Sequence, residues 1–253
     1  MLLTILGAGP AYTSRRGAAA SSYLLQTQDG DGPASLVLDL GQGAFSNLAA
    51  TVEPSRLAGL VVSHLHPDHF VDLVSLRHYL KWEFQPPRRV RVIGPAGLSG
   101  RLDALDDAPG FAAAALDVEK MSGDCQLGPF VVCPRLVTHT DESYAFRVSV
   151  ANGTARPGLV YSGDCSRPDD LVPLIRPGDT VLSEASFGAG PVAQGAEHMT
   201  SAEAARAAAM GGAQRLLLTH VLAGHSREET LTAARGVFGG PIHLVTEGDT
   251  FEI

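Results

Sequence analysis

Four short apolar runs in this chain each end in a histidine or an aspartate: "GLVVS" runs into His64, "RLVT" into His139, "LVYSG" into Asp164 and "RLLLT" into His220. Short runs rich in leucine and valine, closed by polar residues, read as buried strands. In α/β architectures the loops diverge at the carboxyl ends of strands and leave a crevice there. Four such ends carrying titratable side chains therefore predict sheets whose edges converge on one polar site. Around the first of them the chain is denser still, with His64, His66, Asp68 and His69 falling within six positions of "VVSHLHPDHF". Alternate residues leaving a strand point the same way, so His64 and His66 are expected to face one position and Asp68 and His69 a neighbouring one.

The rest of the chain supplies the scaffold. Strands are predicted over 2–7, 21–27 and 35–41, the last two as a hairpin around the Gly/Asp turn at 29–34. A helix follows over 43–50, a strand over 59–63, a helix over 70–83 and a strand over 89–94, then a helix over 98–107 ended by Pro109. From 115 to 162 the pattern is mainly strand, followed by a short helix near 168–175, a strand over 180–185 and a Gly/Pro loop over 188–195. The clearest helix is 199–212, where Thr200 with Glu203 three residues on forms a capping box and Gly211 or Gly212 ends it. A strand over 215–220, a helix over 227–238 and strands over 242–247 and 250–253 close the chain. Strands precede helices in both halves and no linker separates them. Residues 1–253 are read as a single domain with two sheets and helices outside.

Charge and composition narrow the partners. A net charge of -8 argues against a long polyanionic substrate, and the basic stretch Arg88, Arg89 and Arg91 reads as a solvated turn leading into a strand. Three cysteines, Cys125, Cys133 and Cys165, lack paired spacing and fit a reducing cytoplasm rather than a disulfide framework. The start "MLLTILGAGPAYTS" has no charged region typical of an export signal, and no run reaches the ~18 apolar residues of a membrane span. The expected location is cytoplasmic, without membrane contact. Gly7 and Gly9 in "GAGPA" are read as a tight turn rather than a phosphate loop.

Five histidines and two aspartates are too many ligands for one ion and suit two. Imidazole-rich sets favour zinc, with manganese or iron able to occupy the same ligands, whereas magnesium or calcium would want oxygen donors. Two ions about 3.5–4 Å apart can hold a hydroxide between them and polarise a phosphoryl or carbonyl oxygen.

"HLHPDH" together with "VTH", "YSGD" and "LLLTH", and the opening segments "LTILGAGPA" and "LVLDLGQGA", resembles the metallo-β-lactamase fold superfamily over nearly the whole chain. The resemblance implies an α+β fold, an αββα sandwich of two mixed β-sheets flanked by helices, with the metals at one edge. It implies His64, His66 and His139 on one metal, Asp68, His69 and His220 on the other, and Asp164 as the bridging carboxylate. "SEASF" and "EHMTSAEAARAA" are similar to signatures of the ribonuclease Z and phosphodiesterase branch, although Ser183 and Met199 depart from them. That likeness makes Glu184 a carboxylate held behind the ligands and His198 the histidine that protonates the leaving oxygen, while Asp68 orients or deprotonates the attacking water.

The arm with which ribonuclease Z grips tRNA lies between the third metal histidine and the bridging aspartate. Here that interval, from His139 to Asp164, is filled by two strands and a turn. The expectation is therefore a hydrolase that uses metal-bound hydroxide on a small phosphodiester such as a cyclic nucleotide. A ribonuclease Z-type tRNA 3′-endonuclease and a lactone or sulfate ester hydrolase are the alternatives. A metal-binding module without chemistry is disfavoured by the complete ligand set. The resemblance also allows a homodimer. His78, His225 and His243 receive no role, and Cys165 is read as a small filler beside the metals.

Overall fold

The structure, a computed structural model, describes residues 1–13, 15–29, 32–151, 157–192 and 195–253. Among the described residues, fourteen strands form two seven-stranded sheets. The first contains β1 (Leu2–Gly7), β2 (Ser22–Asp29), β3 (Gly32–Leu38), β4 (Gly59–Val61), β5 (Val90–Gly94), β6 (Leu116–Lys120) and β14 (Thr250–Glu252), in the order β14-β1-β2-β3-β4-β5-β6. The second contains β7 (Cys125–Leu127), β8 (Phe130–Leu136), β9 (Tyr144–Val150), β10 (Leu159–Tyr161), β11 (Thr180–Glu184), β12 (Arg215–Thr219) and β13 (Ile242–Leu244), in the order β13-β12-β11-β10-β9-β8-β7. Both sheets are mixed: β3 to β6 and β10 to β13 run parallel, and the remaining pairs are antiparallel.

Strand periodicity explains the layering. Tyr23, Leu25, Leu36 and Leu38 of the first sheet meet Phe130, Phe146, Leu182 and Leu217 of the second in a shared core. The alternate residues Leu24 and Val37 face outward against helices α1 (Ala44–Thr51), through Leu48, and α3 (Leu73–Trp82), through Leu73, Leu76 and Leu80. Leu216 and Leu218 likewise face α6 (Ser201–Gly211), where Ala204, Ala205 and Ala208 keep the helix close to the sheet, and α7 (Arg227–Arg235), through Ala234. Side chains alternate across a strand, so one apolar run serves two cores. The αββα sandwich expected from the resemblance is the fold observed.

The hairpin of β2 and β3 pairs from Tyr23 with Leu38 to Asp29 with Gly32, while its tip, residues 30–31, lies outside the described residues. Residues 193–194 of the expected Gly/Pro loop and 152–156 of the turn after β9 also lie outside them. The capping box of α6 is formed, with Glu203 N–H donating to the Thr200 hydroxyl, and Gly212 ends the helix at φ 74°.

The helix expected over 70–83 is α3, which starts at Leu73, and a separate helical turn, α2 (Pro67–Phe70), precedes it after a break. The break has a visible cause. The His69 carbonyl accepts from Leu40 N–H, and Asp72 N–H donates to the Leu40 carbonyl, so this stretch bonds to the loop after β3 instead of to itself. Asp68 and His69 consequently leave the site from a helical turn, and the strand-like alternation applies only to His64 and His66. Gly7 and Gly9 do not form a positive-φ turn; a Cβ on Gly7 would lie 1.8 Å from the Ala20 carbonyl oxygen, so the residue serves close passage of two backbones.

The basic stretch is neutralised locally, Arg89 pairing with Asp117 and Arg91 with Glu119 from β6. All three cysteines are free thiols. No helix among the described residues is long and apolar enough to cross a membrane.

Candidate metal centre

His64 follows β4, His139 follows β8, Asp164 follows β10 and His220 follows β12, and the chain brings all four to one edge of the sandwich with His66, Asp68 and His69. His64, His66, His139 and Asp164 form one group, and Asp68, His69 and His220 a second, the candidate ligand atoms of each lying within 4.8 Å of one another. Asp164 stands between the groups. Its Oδ2 is 3.6 Å from His64 Nε2, 3.4 Å from His69 Nε2 and 3.8 Å from both His139 Nε2 and His220 Nε2. His66 is the most open of the seven.

The imidazoles are held from behind. His69 Nδ1–H donates to Asp39 Oδ2 at 2.7 Å and His139 Nδ1–H to the Glu197 carbonyl at 2.8 Å. His64 Nδ1 meets the Ser63 hydroxyl at 3.1 Å, and His220 Nδ1 meets the Ser186 hydroxyl at 2.9 Å. Anchoring one ring nitrogen fixes the tautomer and aims the other. Four Nε2 atoms thus point at a common space.

Asp39 organises this rear wall. Fully buried, it accepts from Ser63 N–H at 2.6 Å, from the Ser63 hydroxyl at 2.7 Å and from the Tyr161 hydroxyl at 2.7 Å, in addition to His69. Sequence reasoning missed it, although it ends the apolar run "SLVLD" just as the four assigned residues end theirs. Asp39 and His220 are both non-glycine residues at positive φ, 57° and 58°. Backbone of this kind costs about 1–3 kcal/mol and persists where surrounding contacts enforce it.

The titratable groups respond strongly to one another. Burial and the neighbouring histidine charges, His69 first, push His64 well below its ordinary value and keep the ring neutral. Burial also opposes the charged form of His69, but Asp164 and then Asp39 outweigh it and hold that residue well above the ordinary value. Asp164 is driven well below the carboxylate range, since His220 and His69 overcome its burial. Burial lowers His198 too, yet its hydrogen bond to Glu184, with the charges of Glu184 and Asp164, raises it to about 9.

The residues fit divalent cations. His64 Nε2, His69 Nε2 and Asp164 Oδ1 are buried and make no hydrogen bond, an arrangement that costs about 1–3 kcal/mol per group unless something else satisfies it. Ligands bound at about 2.0–2.2 Å to one tetrahedral ion stand roughly 3.3–3.6 Å apart, close to the separations around Asp164. The donor set is nitrogen-rich with carboxylates, as zinc prefers.

Glu184 ends β11 behind this cluster and His198 stands beside it. Glu184 is 1% exposed and accepts from the N–H groups of Cys165, Ser186 and Met199, from the Ser186 hydroxyl at 2.7 Å and from His198 Nδ1–H at 3.0 Å. It touches His198 rather than the centre of the cluster. Ser186, also missed from sequence although it lies within the "SEASF" segment, links Glu184 to the His220 ring. Cys165 is fully buried, donates to the Arg167 carbonyl, and has its thiol pushed up to about 12 by burial. His78 and His243 are exposed and His225 lies on a neighbouring cavity.

One glycine positions the ligand loop. A Cβ on Gly41 would lie 1.9 Å from the Asp68 carbonyl oxygen, so α2 can approach only because residue 41 has no side chain. Gly41→Ala is expected to cost about 1–3 kcal/mol by overpacking and, by displacing Asp68 and His69, to lower kcat/KM about a hundredfold. Thermal melts and hydrolysis assays measure the two effects; an alanine variant with wild-type turnover would contradict this role.

Comparison with known proteins agrees with the architecture. A family profile described as a beta-lactamase superfamily domain matches residues 37–221. An uncharacterized protein of Mycobacterium leprae is 36% identical over 241 residues, 92% of this chain and 82% of that protein. A ribonuclease Z of Myxococcus xanthus is 31% identical over 189 residues, 70% of this chain and 61% of that protein. The crystal structure of the metallo-beta-lactamase fold protein YhfI from Bacillus subtilis superposes with a TM-score of 0.85 at 25% identity, covering 99% of both chains.

Proposed function

The chain belongs to the beta-lactamase superfamily and is a metallo-hydrolase, and from that premise we propose that it is a dinuclear phosphodiesterase acting on a small phosphodiester such as a cyclic nucleotide. The observation that carries the reading is the convergence of six other candidate ligands on Asp164, with His198 and its supporting carboxylate alongside. His64, His66 and His139 would hold one ion, Asp68, His69 and His220 the other, and Asp164 would bridge them. When bound, such a pair supplies Lewis acidity toward a phosphoryl oxygen and lowers the pKa of water, with zinc the ion this donor set prefers.

The protein's own groups handle the protons. Asp68, whose Oδ2 lies 3.1 Å from His220 Nε2, would orient the attacking water and take its proton. An alkoxide leaving from phosphorus is a poor leaving group, and His198 supplies the proton it needs. Glu184 fixes the His198 ring through Nδ1, which leaves Nε2 as the atom that meets the leaving oxygen.

A tRNA 3′-endonuclease activity is the second reading, favoured by the ribonuclease Z relative. Against it stand the net charge of -8 and the short interval from His139 to Asp164, which carries β9 and β10; binding a long nucleic acid depends on many cationic contacts to phosphate.

The test is a substrate panel with zinc- or manganese-loaded protein. Hydrolysis of bis-p-nitrophenyl phosphate and of a cyclic mononucleotide is expected, with precursor tRNA left intact on a gel. His198→Ala should slow the cyclic nucleotide by roughly 10²–10⁴-fold. It should barely affect the p-nitrophenyl ester, whose leaving phenolate needs no proton. A metal-replete preparation that leaves every phosphodiester intact while opening lactones or cleaving sulfate esters would overturn the phosphodiesterase assignment.

A further inference from the structure

Beside the candidate metal cluster, and sharing His220 with it, lies a half-open cavity of about 330 Å³. That is the small end of the roughly 300–1,000 Å³ found for ligand pockets, enough for one compact group and too little for a polymer. Its apolar lining includes Pro10, Leu222 and Val245, and its hydrogen-bonding wall groups include Arg15, His225 and Arg227. No aspartate or glutamate lines it among the described residues, in a protein whose net charge is -8.

The wall is a built one. Arg15 Nη2 donates to both carboxylate oxygens of Glu247 at 3.1 Å, and Arg227 donates to the Leu244 carbonyl, so both guanidinium groups are fixed at the cavity while retaining further N–H donors. His225 packs edge-on against Phe187, ring centroids 6.4 Å apart, and Phe187 meets His198 at 6.0 Å. The cavity and the proton donor therefore share a side chain. Tyr12, two residues after Pro10, is 67% exposed and offers a flat face of the kind that stacks on rings.

From this arrangement we infer that the cavity receives the ester arm that stays on phosphorus, and that this arm is a compact, ring-bearing group rich in hydrogen-bond acceptors and free of cationic groups. Arginine donates and cannot accept, so the complementary ligand presents oxygens or ring nitrogens. An ammonium-bearing arm would meet the guanidinium group of Arg227 and an Arg15 whose carboxylate partner, Glu247, is already engaged, and is disfavoured. The inference rests on the phosphodiesterase reading of the adjoining cluster and names the substrate class within it.

Three esters with the same leaving group test it: the p-nitrophenyl ester of thymidine 5′-monophosphate, p-nitrophenyl phosphorylcholine, and methyl p-nitrophenyl phosphate, which has no arm to place. The thymidyl ester is expected to exceed the choline ester in kcat/KM by at least roughly tenfold, the worth of one charge-assisted hydrogen bond. Leu222→Trp, which fills the cavity, and Arg227→Gln should each remove that preference, mainly through KM, with a far smaller effect on the methyl ester. Calorimetric binding of thymidine 5′-monophosphate should weaken about tenfold in the same variants. Equal turnover of thymidyl and choline arms, or variants that slow all three esters alike, overturns the inference while leaving the phosphodiesterase reading intact. If no ester is cleaved yet thymidine 5′-monophosphate binds and Leu222→Trp abolishes binding, the cavity assignment stands and the phosphodiesterase reading fails.

Discussion

Replacing Asp164 with alanine is expected to lower hydrolysis by at least about a thousandfold and to deplete bound metal in the same preparation. The residue is 2% exposed and its Oδ2 lies within 3.4–3.8 Å of five imidazole nitrogens, those of His64, His69, His139, His198 and His220. Removing it leaves a cluster of histidines without the negative charge that balances them. Asp164→Asn separates charge from shape: it keeps one acceptor oxygen and loses the anion, and should fall close to the alanine variant. Elemental analysis gives the metal stoichiometry, and turnover of bis-p-nitrophenyl phosphate gives the rate. An alanine variant that binds two equivalents of metal and turns over normally would remove Asp164 from the site.

Asp179→Ala should produce the largest loss of stability, about 3–5 kcal/mol. Asp179 is fully buried between β10 and β11 and accepts from Arg147 Nε at 2.8 Å, Arg147 Nη2 at 2.9 Å, Gly158 N–H at 2.7 Å and Arg176 N–H at 2.9 Å. Truncation takes the carboxylate away from a guanidinium that is itself 3% exposed, and two backbone donors lose their acceptor. Urea titration should show a lower midpoint at unchanged slope. Because the pair sits at the amino end of β11, opposite the candidate site, kcat per folded molecule should be unaltered. Pairing Asp179→Leu with Arg147→Met should recover much of the loss, since an apolar pair of similar volume replaces the ions without an orphaned charge. A single variant as stable as the parent would show that the ion pair is not what joins these strands.

Much of the architecture is legible in the sequence. The runs ending at His64, His139, Asp164 and His220 are strands or lie just past them, and the Thr200 and Glu203 pair marked the start of α6 to the residue. These features are local: a strand's alternation or a helix cap is decided by neighbours within a few positions, and the chain records it directly. The split between α2 and α3 was not legible, because it depends on Leu40 capturing the backbone of His69 and Asp72 from about thirty positions away. Asp39 ends an apolar run as the assigned residues do, but its role is defined by Ser63, His69 and Tyr161, the last of them far along the chain.

The sequence alone determined which side chains are available for chemistry and that strand ends carry them, since residue type and spacing are covalent facts. Only the tertiary structure decided which ring nitrogen each histidine turns inward, which carboxylate stands behind it, and that Arg15, His225 and Arg227 border a cavity reaching His220. The physical reason is that hydrogen bonds and electrostatic contacts act over a few ångströms. The distances that matter to them arise only when segments such as Asp39 and Tyr161, 122 residues apart, are packed side by side.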